Sequence, residues 1–203
     1  MKKHPISKTI SAKKVGLYFG SFNPVHIGHM VIANYVVEFS GLEELWFIVS
    51  PQNPHKDKTH LLNDDDRLEL VQMAVEGDNR LQVSDIEFSL TKPSYTYNTL
   101  ACLEDRHPGI SFKILMGSDN LEIFHKWKNY RNIIENHELI VYPRPGFDKS
   151  KVLQHKSIVI AEGAPMIEIS SSFIREALKK GKDIRHFLPG KVWERIKKKE
   201  FYR

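Results

Sequence analysis

Apolar residues fall along this chain in two alternating patterns, and the alternation predicts an architecture. Short, nearly continuous apolar runs mark strands at 15–19 (Val15-Gly16-Leu17-Tyr18-Phe19), 45–49, 81–88, 111–117, 138–142 and 157–160. Runs of that length suit strands covered on both faces. Between them, apolar positions return every three or four residues, which predicts helices at 27–39, 64–76 and 95–106, short helices to about 136, and helices at 171–180 and 189–199. In the first of these, His29, Ile32, Ala33, Val36 and Val37 share a stripe that Ser40-Gly41 brings to a stop. Asp64, Asp65 and Asp66 open the second, where negative charge complements the helix dipole. Strands alternating with helices make this an α/β chain: a doubly wound, Rossmann-like parallel sheet with helices on both faces and right-handed crossovers.

The chemistry concentrates where predicted strands hand over to helices. Gly20-Ser21-Phe22-Asn23-Pro24-Val25-His26-Ile27-Gly28-His29 joins the first strand to the first helix. Gly20 allows a sharp turn, Pro24 suits a chain entering a helix, and the helix start aims unpaired N–H groups at an anion. His26 and His29, three apart, face the same way and are placed to clamp a phosphate and steady the charge that builds during its transfer. Near the other end, Ser170, Ser171 and Ser172 begin a helix closed by Gly181, with Arg175 four residues after Ser171 on the same face. Those serines either cap the helix or turn their hydroxyls to phosphate, and a guanidinium there binds phosphate in bidentate fashion. Gly117 ends a strand where a ligand can approach the backbone. Asp119, two residues on, either accepts from ribose hydroxyls or caps the following helix. Trp127 offers a flat face on which an aromatic ring could stack, or packs beside Phe124. Lys56, in the polar loop Pro51 to Lys58, either meets a carboxylate or phosphate or is solvated.

These motifs carry a resemblance. The HIGH tetrad at 26–29 is similar to the HxGH signature of the nucleotidyltransferase superfamily, and Ile169 to Arg175 resembles its ISSTxIR motif, with Ser172 where threonine is frequent. Together with Pro54-His55-Lys56, Pro93 to Leu100, Gly117 to Leu121 and Leu139 to Gly146, in that order, the chain resembles the bacterial nicotinate-nucleotide adenylyltransferases from about Val15 to Tyr202. The resemblance implies adenylyl transfer from ATP to nicotinate mononucleotide, giving nicotinate adenine dinucleotide and pyrophosphate. It implies His26, His29 and Arg175 in catalysis. Gly20, Ser21, Phe22, His26, His29, Gly117, Asp119, Ser170, Ser171 and Arg175 would bind ATP, and Asn23, Lys56, Thr96 and Trp127 the nicotinate mononucleotide. Magnesium is expected through phosphate oxygens, with no metal ligand from the protein. Family members usually carry an aromatic residue after the tryptophan, whereas this chain has Lys128. Acceptors such as nicotinamide mononucleotide or phosphopantetheine, and a non-catalytic nucleotide-binding regulatory module, stay open alternatives.

Composition narrows the class. The chain has 203 residues, enough for one α/β unit, expected over 15–203 after a polar, poorly ordered arm at 1–14. Lys plus Arg outnumber Asp plus Glu by 30 to 25, which suits anionic ligands. The basic clusters at both ends lack interleaved aromatics, so no nucleic acid is expected. No apolar run approaches bilayer length and no signal peptide is visible, so no membrane partner is expected. Cys102 is the only cysteine, which fits a reducing cytoplasm and argues against a Cys-based zinc site, while His26, His29, His55 and His60 remain a remote histidine alternative. A homo-oligomer is compatible with all of this. Walker A and GxGxxG patterns are missing, which removes the main support for P-loop and dehydrogenase readings.

Overall fold

Strands apolar on both sides need cover on both sides, and the chain supplies it by winding in two directions from a central strand. A computed structural model describes residues 12–51 and 61–203. Its strands are β1 (Lys13–Gly20), β2 (Glu44–Val49), β3 (Leu81–Ser84), β4 (Ile110–Gly117), β5 (Leu139–Tyr142) and β6 (Ile158–Ile160). They form one sheet in the order β3-β2-β1-β4-β5-β6, with every pairing parallel. The winding reverses between β1 and β4, the switch point outside whose carboxyl ends open α/β sheets bind ligands.

The helices are α1 (Ile27–Phe39), α2 (Asp64–Val75), α3 (Thr96–Arg106), α4 (Ser118–Glu122), α5 (Tyr130–Asn136), α6 (Ser171–Lys179) and α7 (Gly190–Lys199). Strand pleating divides their cover. Tyr18, Leu45, Phe47, Val49, Leu115 and Ile140 pack with α1, α2, α6 and α7 on one face. Val15, Leu17, Ile48, Ile114, Met116 and Val141 pack with α3, α4 and α5 on the other. Both faces are thus buried, as the continuous apolar runs require.

Two local expectations change. The run at 81–88 is not one strand: β3 stops at Ser84, whose Oγ accepts from the Ile86 N–H at 3.3 Å, and a 3-10 turn follows at Ile86–Ser89. The reason is Glu87, a buried carboxylate that a sheet could not satisfy and that instead accepts from Thr99 Oγ1 at 2.7 Å and Ser94 Oγ at 3.1 Å. Gly20 is also not the residue of unusual backbone. The positive φ of the loop, 43°, belongs to Phe22, and a Cβ on Gly20 would lie 2.7 Å from the Phe22 ring. Gly41 and Gly181 do take the left-handed conformation expected after α1 and α6, at φ 63° and 65°.

Candidate active site

The loop from Gly20 to His26 turns back on the end of β1 and delivers two imidazoles together. His26 is not in the first helical turn but is the N-cap of α1, with extended backbone (φ −146°, ψ 171°). Its N–H donates to Nδ1 of His29 at 3.2 Å, and the two rings stack with centroids 3.7 Å apart. Because Nδ1 of His29 accepts that bond, the proton of the neutral ring sits on Nε2. His26 lies beneath, 4% exposed, and its Nδ1 has no partner among the described residues. Burial, reinforced by Arg144, pulls the His26 imidazole down to about 4, so the ring is neutral at neutral pH. Gly28 makes room for it, since a Cβ there would stand 3.0 Å from the His26 ring.

The serine helix docks against this loop. Ser170 caps α6, its Oγ accepting from the Phe173 N–H at 3.1 Å. Ser171 Oγ donates to the Pro24 carbonyl at 2.9 Å, across 147 residues of chain. Arg175 donates from Nη1 to the Asn23 carbonyl at 2.8 Å and from Nη2 to Ser172 Oγ at 3.2 Å. Asn23 is itself a buried hub: its Oδ1 accepts from the Tyr202 hydroxyl at 2.8 Å and from the Leu62 N–H at 3.2 Å. Arg67, fully buried, fastens the neighbouring turns. It donates to the carbonyls of Ser21 (2.7 Å), Ser50 (2.8 Å), Leu62 (3.2 Å) and Pro51 (3.4 Å), and to Asp64 Oδ1 at 2.6 Å.

A cavity of about 620 Å³ opens at the carboxyl ends of β1 and β4, within the range of small-molecule sites. Of the residues expected from the sequence, Gly20, Ser21, Phe22, His29, Thr96, Gly117, Asp119, Trp127 and Ser171 line it. Four others do not. His26 is sealed under His29, Ser170 spends its oxygen as a cap, and the Arg175 guanidinium and the Asn23 Oδ1 are engaged in holding the loop. Lys56 lies outside the described residues, as do His55 and His60.

The cavity also contains residues to which sequence reasoning gave no role in the site. Arg144 lines it, with its guanidinium carbon 5.0 Å from the Tyr142 ring centroid, Nε 3.4 Å from Asp119 Oδ1, and its N–H hydrogen-bonding Ser118 Oγ at 2.9 Å. The signal was present: an arginine between two prolines directly after a buried strand. Tyr18, Glu87 and Lys128 line it too, and periodicity alone gives no hint of their direction. Burial pushes the Tyr18 and Tyr142 hydroxyls up, so both remain protonated. Among the described residues no group of three His, Cys, Asp or Glu side chains converges to cage a metal. The carboxylates on the cavity wall are Asp119, beside Arg144, and Glu87, held by Thr99 and Ser94. No helix among the described residues is long and apolar enough to cross a membrane.

Comparison with known proteins agrees with this geometry. The cytidylyltransferase-like family matches residues 17–177. The chain is 50% identical over 192 residues to a probable nicotinate-nucleotide adenylyltransferase of Flavobacterium psychrophilum, covering 94% of this chain and 99% of that protein. It is equally 50% identical over 193 residues to a protein of the same description from Christiangramia forsetii, covering 94% and 99%. Among solved structures, the Plasmodium falciparum nicotinic acid mononucleotide adenylyltransferase complexed with NaAD superposes with a TM-score of 0.76, covering 94% of this chain and 97% of that one. At 21% identity that likeness is one of fold. Motif loop, docked serine helix, switch-point cavity and near-complete alignment converge: the chain belongs to the nicotinate-nucleotide adenylyltransferases of the cytidylyltransferase-like family.

Proposed function

We propose that this chain transfers the adenylyl group of ATP to nicotinate mononucleotide, giving nicotinate adenine dinucleotide and pyrophosphate in NAD biosynthesis. The observation that carries the reading is one cavity lined at once by His29, Ser171, Arg144, Thr96 and Trp127, brought together from distant parts of the chain. A phosphate oxygen of the mononucleotide forms a bond to the α-phosphorus of ATP as the bond to the bridging oxygen of pyrophosphate breaks. The attacking oxygen is already an anion, so no general base is required, and catalysis consists of aligning two repelling anions and stabilising the charge between them.

Within that scheme we assign His29 to the reacting phosphate, donating from Nε2 because Nδ1 is occupied. Arg144 adds positive charge on the cavity wall, and backbone N–H groups at Gly117 and at the α6 start add donors, the Ser171 hydroxyl itself being held by the Pro24 carbonyl. His26, Arg175 and Asn23 act as positioning residues: the first supports the His29 ring and the other two hold the loop that presents it. Trp127 supplies a stacking face for the pyridine ring and Thr96 a hydroxyl beside it. Magnesium bound to the triphosphate supplies neutralisation of phosphate charge. We place the enzyme in the cytoplasm, a reading supported by the lone Cys102.

The experiment is a coupled pyrophosphate assay with ATP and, in parallel, nicotinate mononucleotide, nicotinamide mononucleotide and phosphopantetheine. Turnover is expected with the first far above the others. ATP binding with no pyrophosphate release from any acceptor would replace this reading with that of a nucleotide-binding module.

A further inference from the structure

Two ammonium groups bracket the cavity's tryptophan. Lys126, Trp127 and Lys128 all line the cavity, where the chain leaves a 3-10 turn in extended form (Trp127 φ −71°, ψ 143°). Neither lysine is ion-paired among the described residues. Lys128 Nζ rests 4.6 Å from the centroid of the Tyr95 ring, and Tyr95 is the N-cap residue immediately before Thr96. An aromatic face restrains an ammonium without neutralising it. Lys128 is therefore a cation held at the cavity wall, beside the tryptophan and the α3 start, with its charge still to be matched.

The acceptor assigned above carries two anionic groups. Its phosphate has to reach the α-phosphorus of ATP at the histidine loop, which leaves the carboxylate on the pyridine ring as the second anion. The amide mononucleotide has the same phosphate, ribose and ring and lacks only that charge. Resting on the proposed function, we propose that Lys128 determines specificity, pairing its ammonium with the ring carboxylate and so selecting the acid over the amide. A charge-assisted hydrogen bond of this kind needs a donor of opposite sign held in place, and Lys128 is the lysine whose side chain is docked on the α3 entrance. An unspecific attraction for phosphate would aid both acceptors alike, so the ratio between them isolates the carboxylate.

The test measures kcat/KM for the acid and the amide mononucleotide in the wild type, Lys128→Met and Lys128→Arg, with calorimetric binding of each mononucleotide alongside. Lys128 is exposed, so both variants are expected to fold. Lys128→Met should raise the KM and Kd for the acid by about tenfold, the loss of one hydrogen bond to a charged group, with kcat and the amide's constants little changed. Lys128→Arg should keep the preference for the acid. An unchanged acid-to-amide ratio in Lys128→Met, or an equal loss for both, would overturn the proposal. A wild type inert with every acceptor would instead refute the adenylyltransferase reading, and the calorimetric ratio would still decide the role of Lys128.

Discussion

The two histidines of the HIGH tetrad are placed differently: His26 is buried and His29 faces the cavity. His29 is held in the tautomer that keeps a proton on Nε2, so His29→Ala should cost about 2.7–4 kcal/mol of transition-state stabilisation, a fall of roughly a hundred- to a thousandfold in turnover. The same change strips the acceptor from the His26 N–H, at about 1 kcal/mol or more of stability, so thermal unfolding should be recorded beside the pyrophosphate assay. His26 makes a separate, pH-dependent statement. Its ring titrates near 6.5 in the unfolded chain and at about 4 in the folded one. Between those values the unfolded state binds more protons, so the contribution is full above pH 6.5, shrinks as the pH falls, and is gone below about 4. The total is about 3 kcal/mol, and urea unfolding across that range should show the slope in the wild type and lose it in His26→Gln. Both histidines were legible in the sequence as a pair. Their division of labour was not, because a three-residue spacing carries no information on which ring the loop covers.

At the scale of elements, the site depends on how turns are tied to helices. Arg67, itself fully buried, projects from α2 into the gap between the ends of β1 and β2 and donates to four carbonyls there. Arg67→Met should therefore destabilise the fold by about 3–5 kcal/mol, measured by urea denaturation, since the oxygens stay behind without their partner. Sequence reasoning placed α2, its acidic first turn and its length to within a residue, because those follow from local periodicity and capping: Asn63 Oδ1 accepts from the Asp66 N–H at 2.7 Å, as a helix start requires. It gave Arg67 no role, since a guanidinium on an amphipathic helix normally reaches solvent. The shortening of β3 has the same origin. Val83 and Ile86 continue an apolar run, but the decision to leave the sheet belongs to Glu87 and to partners at Ser94 and Thr99 that only the fold brings near.

At the scale of the whole molecule, the site is assembled from both ends of the chain: the loop after β1, α6, and the C-terminal Tyr202 that hydrogen-bonds to Asn23. Ligand that binds only this assembled form should raise its stability by about 2.7 kcal/mol at a hundredfold excess over Kd, a rise of roughly 5–10 °C in Tm for a chain of this size. A chelator should abolish turnover yet leave the Tm of the free protein unchanged, because no cluster of protein metal ligands is found among the described residues. The α/β class, the strand and helix order, the parallel sheet and the position of the loops that open α1 and α6 were all determined by the sequence alone, through apolar period, capping residues and turn chemistry, which act over a few residues. Which polar side chains face the cavity was decided only by tertiary structure. Arg144 and Lys128 are turned into it while Arg175 and Asn23 are drawn away to hold its wall, a choice set by hydrogen-bond partners up to 179 residues distant, beyond the reach of any local pattern.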